Sequence, residues 1–252
     1  MDYDFLQIFT LLVLGYIAGI VNTLAGGGSN LTLPALMVMG MPADIANATN
    51  RVGIFLQTLW GAKGFHGHGE LPLQDFKGIF IPVAIGGIIG ALAASYVPLT
   101  YLKPVLLITM ISMSLIILVK PSVVMPEPGT IPNLVKSTPA SWVMLFFSGL
   151  YGSFVQAGVG FVLIIALAGT LRYDLVKSNA LKLLCTLGFT TIALTIFILR
   201  DQVLWIPGLI LASTMMLGAH HGVKMAIKAK PEYLKWFLFI MTICGSAAAF
   251  YF

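Results

Sequence analysis

Apolar residues run along this chain in long blocks, punctuated by glycine, proline and isolated charges. The blocks mark ten segments: 5–24, 31–40, 43–65, 78–97, 100–119, 140–154, 161–171, 173–199, 203–224 and 232–252. Most approach the roughly 20 residues that an α-helix needs to cross a bilayer, and none shows the sustained alternation of outer-membrane strands, so the pattern predicts a helical bundle in a membrane. The second and seventh segments are different. At about 1.5 Å per residue they reach only about half of a 30 Å hydrocarbon core, and they read as half-helices, each forming a hairpin with the helix before it.

The interruptions are informative because a break in a membrane helix strands backbone N–H and C=O groups, which hydrocarbon does not tolerate. The first break is "AGGGSN" (25–30) and the second is "QAGVGF" (156–161). In the first, Gly26, Gly27 and Gly28 permit a tight tip and close approach of backbone to a solute, and Ser29 or Asn30 is expected to cap a half-helix starting near Leu31, with Pro34 in its first turn. In the second, Gln156, Gly158 and Gly160 precede a half-helix from Phe161. A proline-rich connection, "KPSVVMPEPGTIPNLVKSTPAS" from Lys120 to Ser141, divides the chain near its middle. The predicted organisation is a first transmembrane repeat over 1–119, a cytoplasmic linker over 120–139 and a second repeat over 140–252. Each repeat has a broken hairpin plus three longer helices, in an all-α integral membrane protein.

Composition and charge sharpen this picture. The 252 residues are 58% hydrophobic and 9% charged, with a mean hydropathy of +0.96, far from soluble domains. The "MDYDFLQIF" start lacks a basic region, so no cleaved signal peptide is expected. With the N-terminus outside, ten of the fourteen Lys and Arg fall on the inner side against Lys103 and Arg200 outside, which predicts both termini outside. Each half then crosses an odd number of times, so the halves are inverted relative to each other, as in many secondary transporters. Cations scattered over short loops set topology and do not form a nucleic-acid surface. The run "KAKPEYLK" (228–235) beside a membrane face could also attract anionic lipid, and Trp60, Trp142, Trp205, Trp236 and Tyr96 read as interfacial anchors.

The remaining two cations, Arg51 and Lys182, lie about two turns into the helices that follow the half-helices. Asn47, Thr49 and Asn50 precede the first, Ser178 and Asn179 the second. An intramembrane cation costs about 2.5–3.5 kcal/mol on insertion scales and usually faces a cavity or a partner. Asp44 and Asp174 sit near the helix entrances, where they read as stabilisers of helix N-termini or, in a lesser reading, as a proton-coupling carboxylate. That leaves a small anion as the economical partner, bound by Arg51, Lys182, Asn50, Gln156, Ser29 and the half-helix N-termini. "GGIIG" (86–90) reads as helix packing. The histidines in "HGHGE" (66–70) and at 220–221 sit without cysteine in a glycine-spaced loop and a helix, so no metal or cofactor is expected, and Ser29 has no histidine base at its depth, so no enzyme is expected. Cys185 and Cys244, each in an apolar run, support no disulfide framework.

The stretch "GIVNTLAGGGSNLTLPALMVMGMPADIANATNR" (19–51), followed by "GGIIGALAASYV" (86–97), resembles the TauE/SafE sulfite exporter family of membrane permeases. The resemblance implies transport of sulfite or organosulfonates, usually export across the bacterial inner membrane. It carries a glycine-serine tip onto Gly26, Gly27, Gly28 and Ser29 and a helix motif onto Thr49, Asn50 and Arg51. An anion-selective channel using the same cations is the alternative.

Overall fold

In the computed structural model the described residues are 4–98, 100–102, 104, 105, 108 and 130–228. The expected segment 232–252, most of 100–119 and the linker residues 120–129 lie outside them, as do Cys244 and Trp236. Among the described residues the regular structure is helical throughout. Helix α1 (Phe5–Leu24) opens with the Asp4 N–H donating to Gln7 Oε1 at 3.2 Å. It is followed by α2 (Ser29–Val38), α3 (Ala43–Gly67) and α4 (Phe76–Tyr96). After a short 3₁₀ turn (Val135–Ser137) come α5 (Pro139–Phe154), α6 (Val159–Ile164), α7 (Leu175–Leu199) and α8 (Trp205–Lys228). Helix α6 runs on into a π-helical stretch, Ile165–Thr170.

Segment order and type match the hydrophobic pattern, with ends displaced by a few residues. Helix α2 begins two residues before the expected start, because Gly28 and not Ser29 or Asn30 occupies the cap, with no side-chain cap. Pro34 consequently falls in the second turn of α2, and its ring has no N–H to give the Asn30 carbonyl one turn back. Helix α2 and the α6 unit span 10 and 12 residues and so remain short of a bilayer's width. Three helices, α1, α4 and α7, are both long and apolar enough to cross a membrane by composition alone. Helices α3 and α8 are as long but more polar, and in α3 the reason is visible: Asn47, Thr49, Asn50, Arg51, Gln57 and Thr58 are all buried against neighbouring helices. Outward faces are apolar, for instance Phe5, Phe9, Ile81, Ile85, Phe147, Ile206 and Leu217, as lipid contact requires.

The packing interleaves the two ends of the chain. Helices α1 and α3 pack most extensively on α8, whereas α5 and α7 pack on α4, and α3 joins the two groups through α7. The fourth helix of each stretch is thus seated on the other stretch. Small residues make both crossings close. A Cβ on Gly86 or Gly90 of α4 would collide with the Phe146 or Leu150 carbonyl of α5, and one on Gly19 or Gly218 would collide with the α1–α8 backbone. This is helix packing through backbone approach, the role read for "GGIIG".

Candidate functional site

Both broken hairpins end their first helix in the same way. At the end of α1, the Ala25 and Gly26 N–H groups both donate to the Val21 carbonyl, at 2.7 and 3.1 Å. At the end of α5, Val155 and Gln156 do the same to Tyr151, at 2.8 and 3.4 Å. The chain then turns through positive φ at Gly26 (89°) and at Gln156 (69°). The left-handed conformation is ordinary for glycine and strained for glutamine. Gly26 and Gly160 bring the two tips into backbone contact, since a Cβ on either would land on the Cα of the other. Gly27 lies against the Phe161 ring, and Gly28 against the Ala18 carbonyl and Asn22.

Breaking a helix leaves its last carbonyls without N–H partners. Here those carbonyls are satisfied by the two buried cations, each from the opposite hairpin's side of the chain. Arg51 in α3 donates to the Gly152 and Ser153 carbonyls of α5, both at 2.7 Å, and to Gln156 Oε1. Asn47, one turn earlier, donates to the Phe154 carbonyl at 3.0 Å and accepts from Arg51 at 3.3 Å, so one face of α3 serves three successive carbonyls. Lys182 in α7 donates to the Asn22 and Thr23 carbonyls of α1, each at 2.9 Å, and to Asn179 Oδ1 at 2.8 Å. The negative end of each helix dipole adds to the attraction. Phe197 lies under the Arg51 guanidinium, 5.7 Å from its centroid.

Both cations are fully buried, and among the described residues neither has a carboxylate partner; the ion pair found there is Lys177–Asp174 at a helix entrance. Asp174 also accepts from the Lys177 N–H at 2.9 Å, the cap expected of it, while Asp44 lies in the first turn of α3. Among the described residues, the two cations therefore meet carbonyl dipoles and amide oxygens and no carboxylate.

Of the sequence-derived site residues, the structure gathers Gly26, Gly27, Gly28, Ser29, Asn30, Asn50, Arg51, Gln156 and Lys182 into the buried interior around the two tips. Asn50 joins α3 to α2, donating to Ser29 Oγ at 3.2 Å and accepting from Thr32 at 2.7 Å. Asn30 Oδ1 has no partner among the described residues. Thr49 is turned elsewhere: its hydroxyl accepts from the Leu204 N–H at 3.0 Å, at the start of α8. Asn22 and Gln57 escaped the sequence reading. Asn22 donates to Gln57 Oε1 at 2.5 Å and Gln57 donates to Thr23 Oγ1 at 3.1 Å, beside the carbonyls that Lys182 holds. Each is an amide in an otherwise apolar run, a signal of the same kind as the buried cations. No group of three His, Cys, Asp or Glu suited to a metal occurs among the described residues.

The match to known proteins covers nearly the whole chain. The family model described as sulfite exporter TauE/SafE matches residues 11–249. A "Probable membrane transporter protein ORF9" of Sinorhizobium sp is 26% identical over 96% of this chain and 92% of its own length. A "Probable membrane transporter protein" of Haemophilus influenzae is 25% identical over 100% of this chain and 97% of its own. The Escherichia coli K12 protein "Probable membrane transporter protein YfcA" is 25% identical over 96% and 88%. With a helical bundle, apolar outer faces and a family model matched over most of its length, the chain belongs to the TauE/SafE family of membrane transporters.

Proposed function

We propose that this transporter carries a small sulfur-containing anion, sulfite or an organosulfonate, by alternating access around the crossing of its two broken hairpins. The observation that carries the reading is the pair of buried cations without a carboxylate partner among the described residues. Such a layer holds an uncompensated positive potential, and an anion entering it exchanges hydration for charge-assisted hydrogen bonds. Arg51 and Lys182 supply charge; Ser29, Asn30, Asn50, Gln156 and the tip backbone at Gly26, Gly27 and Gly28 supply directional contacts. The two stretches act as inverted repeats, 1–119 and 140–252, joined by the 120–139 linker, in the bacterial inner membrane with both termini outside. Rocking of one group of helices against the other exposes the layer to each side in turn. Proton coupling, if the cycle uses it, falls to Asp44 or Asp174 at the helix entrances.

Counterflow of labelled sulfite into proteoliposomes tests this. Wild type is expected to show saturable exchange, and Arg51→Ala, at equal reconstitution, to lose it. A current that follows the membrane potential without exchange would instead identify an anion channel. Equal exchange by both proteins would remove Arg51 from the site.

A further inference from the structure

Four polar side chains of α7, Asn179, Lys182, Thr186 and Thr190, recur at intervals of three, four and four residues. At about 100° per residue they fall within an arc of about 80°, on one face of the helix. All four are at most 3% exposed. Helices α3 and α7 run antiparallel: Phe197 lies under Arg51 at one end, and Leu183 meets Gly61 at the other. The stripe starts at the Lys182 end and runs toward the Arg51 end, with Thr190 about 12 Å from Lys182 along the axis.

Two groups on it lack partners among the described residues. Asn179 Nδ2 and Thr190 Oγ1 are buried and unpaired, and so is Arg51 Nε on α3. The threonine is informative beside its neighbours. Thr191 and Thr195, on the outer side of α7, return their hydroxyls to the carbonyls of Leu187 and Thr191, at 2.7 and 2.8 Å. That back-bond is the usual resort of a threonine in an apolar helix, and Thr190 does not make it. A buried unpaired donor is costly and calls for a cause. All three unpaired groups can donate, and an oxyanion accepts.

We infer that the anion path of this carrier runs along the Asn179–Thr190 face of α7, with the Asn179 amide beside Lys182 and the Thr190 hydroxyl between the two cation positions as substrate contacts. The inference rests on the carrier reading above and adds a route to it. It makes the two cations successive stations, one on each side of the tip crossing, and Thr190 the step between them.

Accessibility to a charged, sulfonate-bearing thiol reagent separates the route from the identity of the substrate. Cys185, buried in the apolar cluster with Ile79, Val83 and Leu145, is the internal control in a Cys244→Ser background. In Cys185→Ser/Cys244→Ser protein in membranes, Thr190→Cys and Thr186→Cys are expected to react at least about tenfold faster than Cys185 does, a ratio equivalent to one decade in rate constant. Reaction no faster than Cys185 overturns the route, even if wild type exchanges sulfite. Fast reaction in a protein that exchanges no sulfite supports the route and removes sulfite as the substrate. Isosteric Thr190→Val provides the second measurement. Loss of one hydrogen bond to a charged group is expected to raise the KM for sulfite about tenfold or more, with Thr190→Ser retaining the wild-type value. The melting temperature of Thr190→Val should be unchanged or higher, because the substitution removes an unpaired buried hydroxyl. A lower melting temperature with unchanged KM would show a structural hydroxyl and overturn the assignment.

Discussion

The two breaks solve one physical problem with different chemistry. At the end of α1 the positive-φ position is a glycine, and the free carbonyls are held by one ammonium, whose third hydrogen bond goes to Asn179 Oδ1. At the end of α5 the same position is Gln156, whose side chain accepts from the guanidinium that holds the carbonyls. A left-handed glutamine costs about 1 kcal/mol more than glycine, and a charge-assisted hydrogen bond offsets a cost of that size. The first break is therefore a backbone hinge with a point charge beside it. The second is tied by a planar fork to three groups of α5 and its following turn, and by Asn47 to a fourth. The end of α5 thus offers four acceptors to α3, and the end of α1 offers two to Lys182.

The largest effect expected is on Arg51→Met. It strands the Gly152 and Ser153 carbonyls and Gln156 together, and breaking a buried charged network of this kind costs about 3–5 kcal/mol, read from thermal or denaturant unfolding in detergent. Lys182→Met strands two carbonyls and one amide oxygen, and its loss should fall at the lower end of the same range. Equal losses would remove the asymmetry just drawn. Next comes Gly26→Ala, which sets a Cβ on the Gly160 backbone in a left-handed conformation; about 1–3 kcal/mol is expected, with lost transport, because backbone cannot swing aside as a side chain would. The smallest is Gln156→Gly, where relief of the positive φ and loss of the Arg51 contact nearly cancel, leaving a change within about 1 kcal/mol. A large loss there would mean that Gln156 does more for α5 than receive one hydrogen bond.

Much of this layout is legible along the chain. The short segments announced themselves by length, the breaks by "AGGGSN" and "QAGVGF", and the interior cations by their depth in apolar helices. Other features left no such mark. Ser29 and Asn30 have the chemistry of caps, yet Gly28 starts the helix and Ser29 turns to Asn50, because the α3 amide competes for the hydroxyl. Thr49 shares a motif with Asn50 and Arg51 but points about 100° away from the first and about 160° away from the second around α3, which delivers it to the start of α8. Asn22 and Gln57 gain meaning only from each other, 35 positions apart.

By itself, the sequence determined the helical class, the places where helices must stop and the residues too polar to face lipid. Periodicity and hydropathy are local properties, and they decide such questions within a turn or two. Only the tertiary structure decided what the polar groups bind. The partners of Arg51 and Lys182 are backbone carbonyls, which every residue possesses and no residue type advertises, and they become acceptors only where a helix ends. Which helix end meets which cation, and that Gly26 meets Gly160, follows from α4 and α8 being seated on opposite stretches of the chain, a choice made by close packing of backbones far apart in sequence.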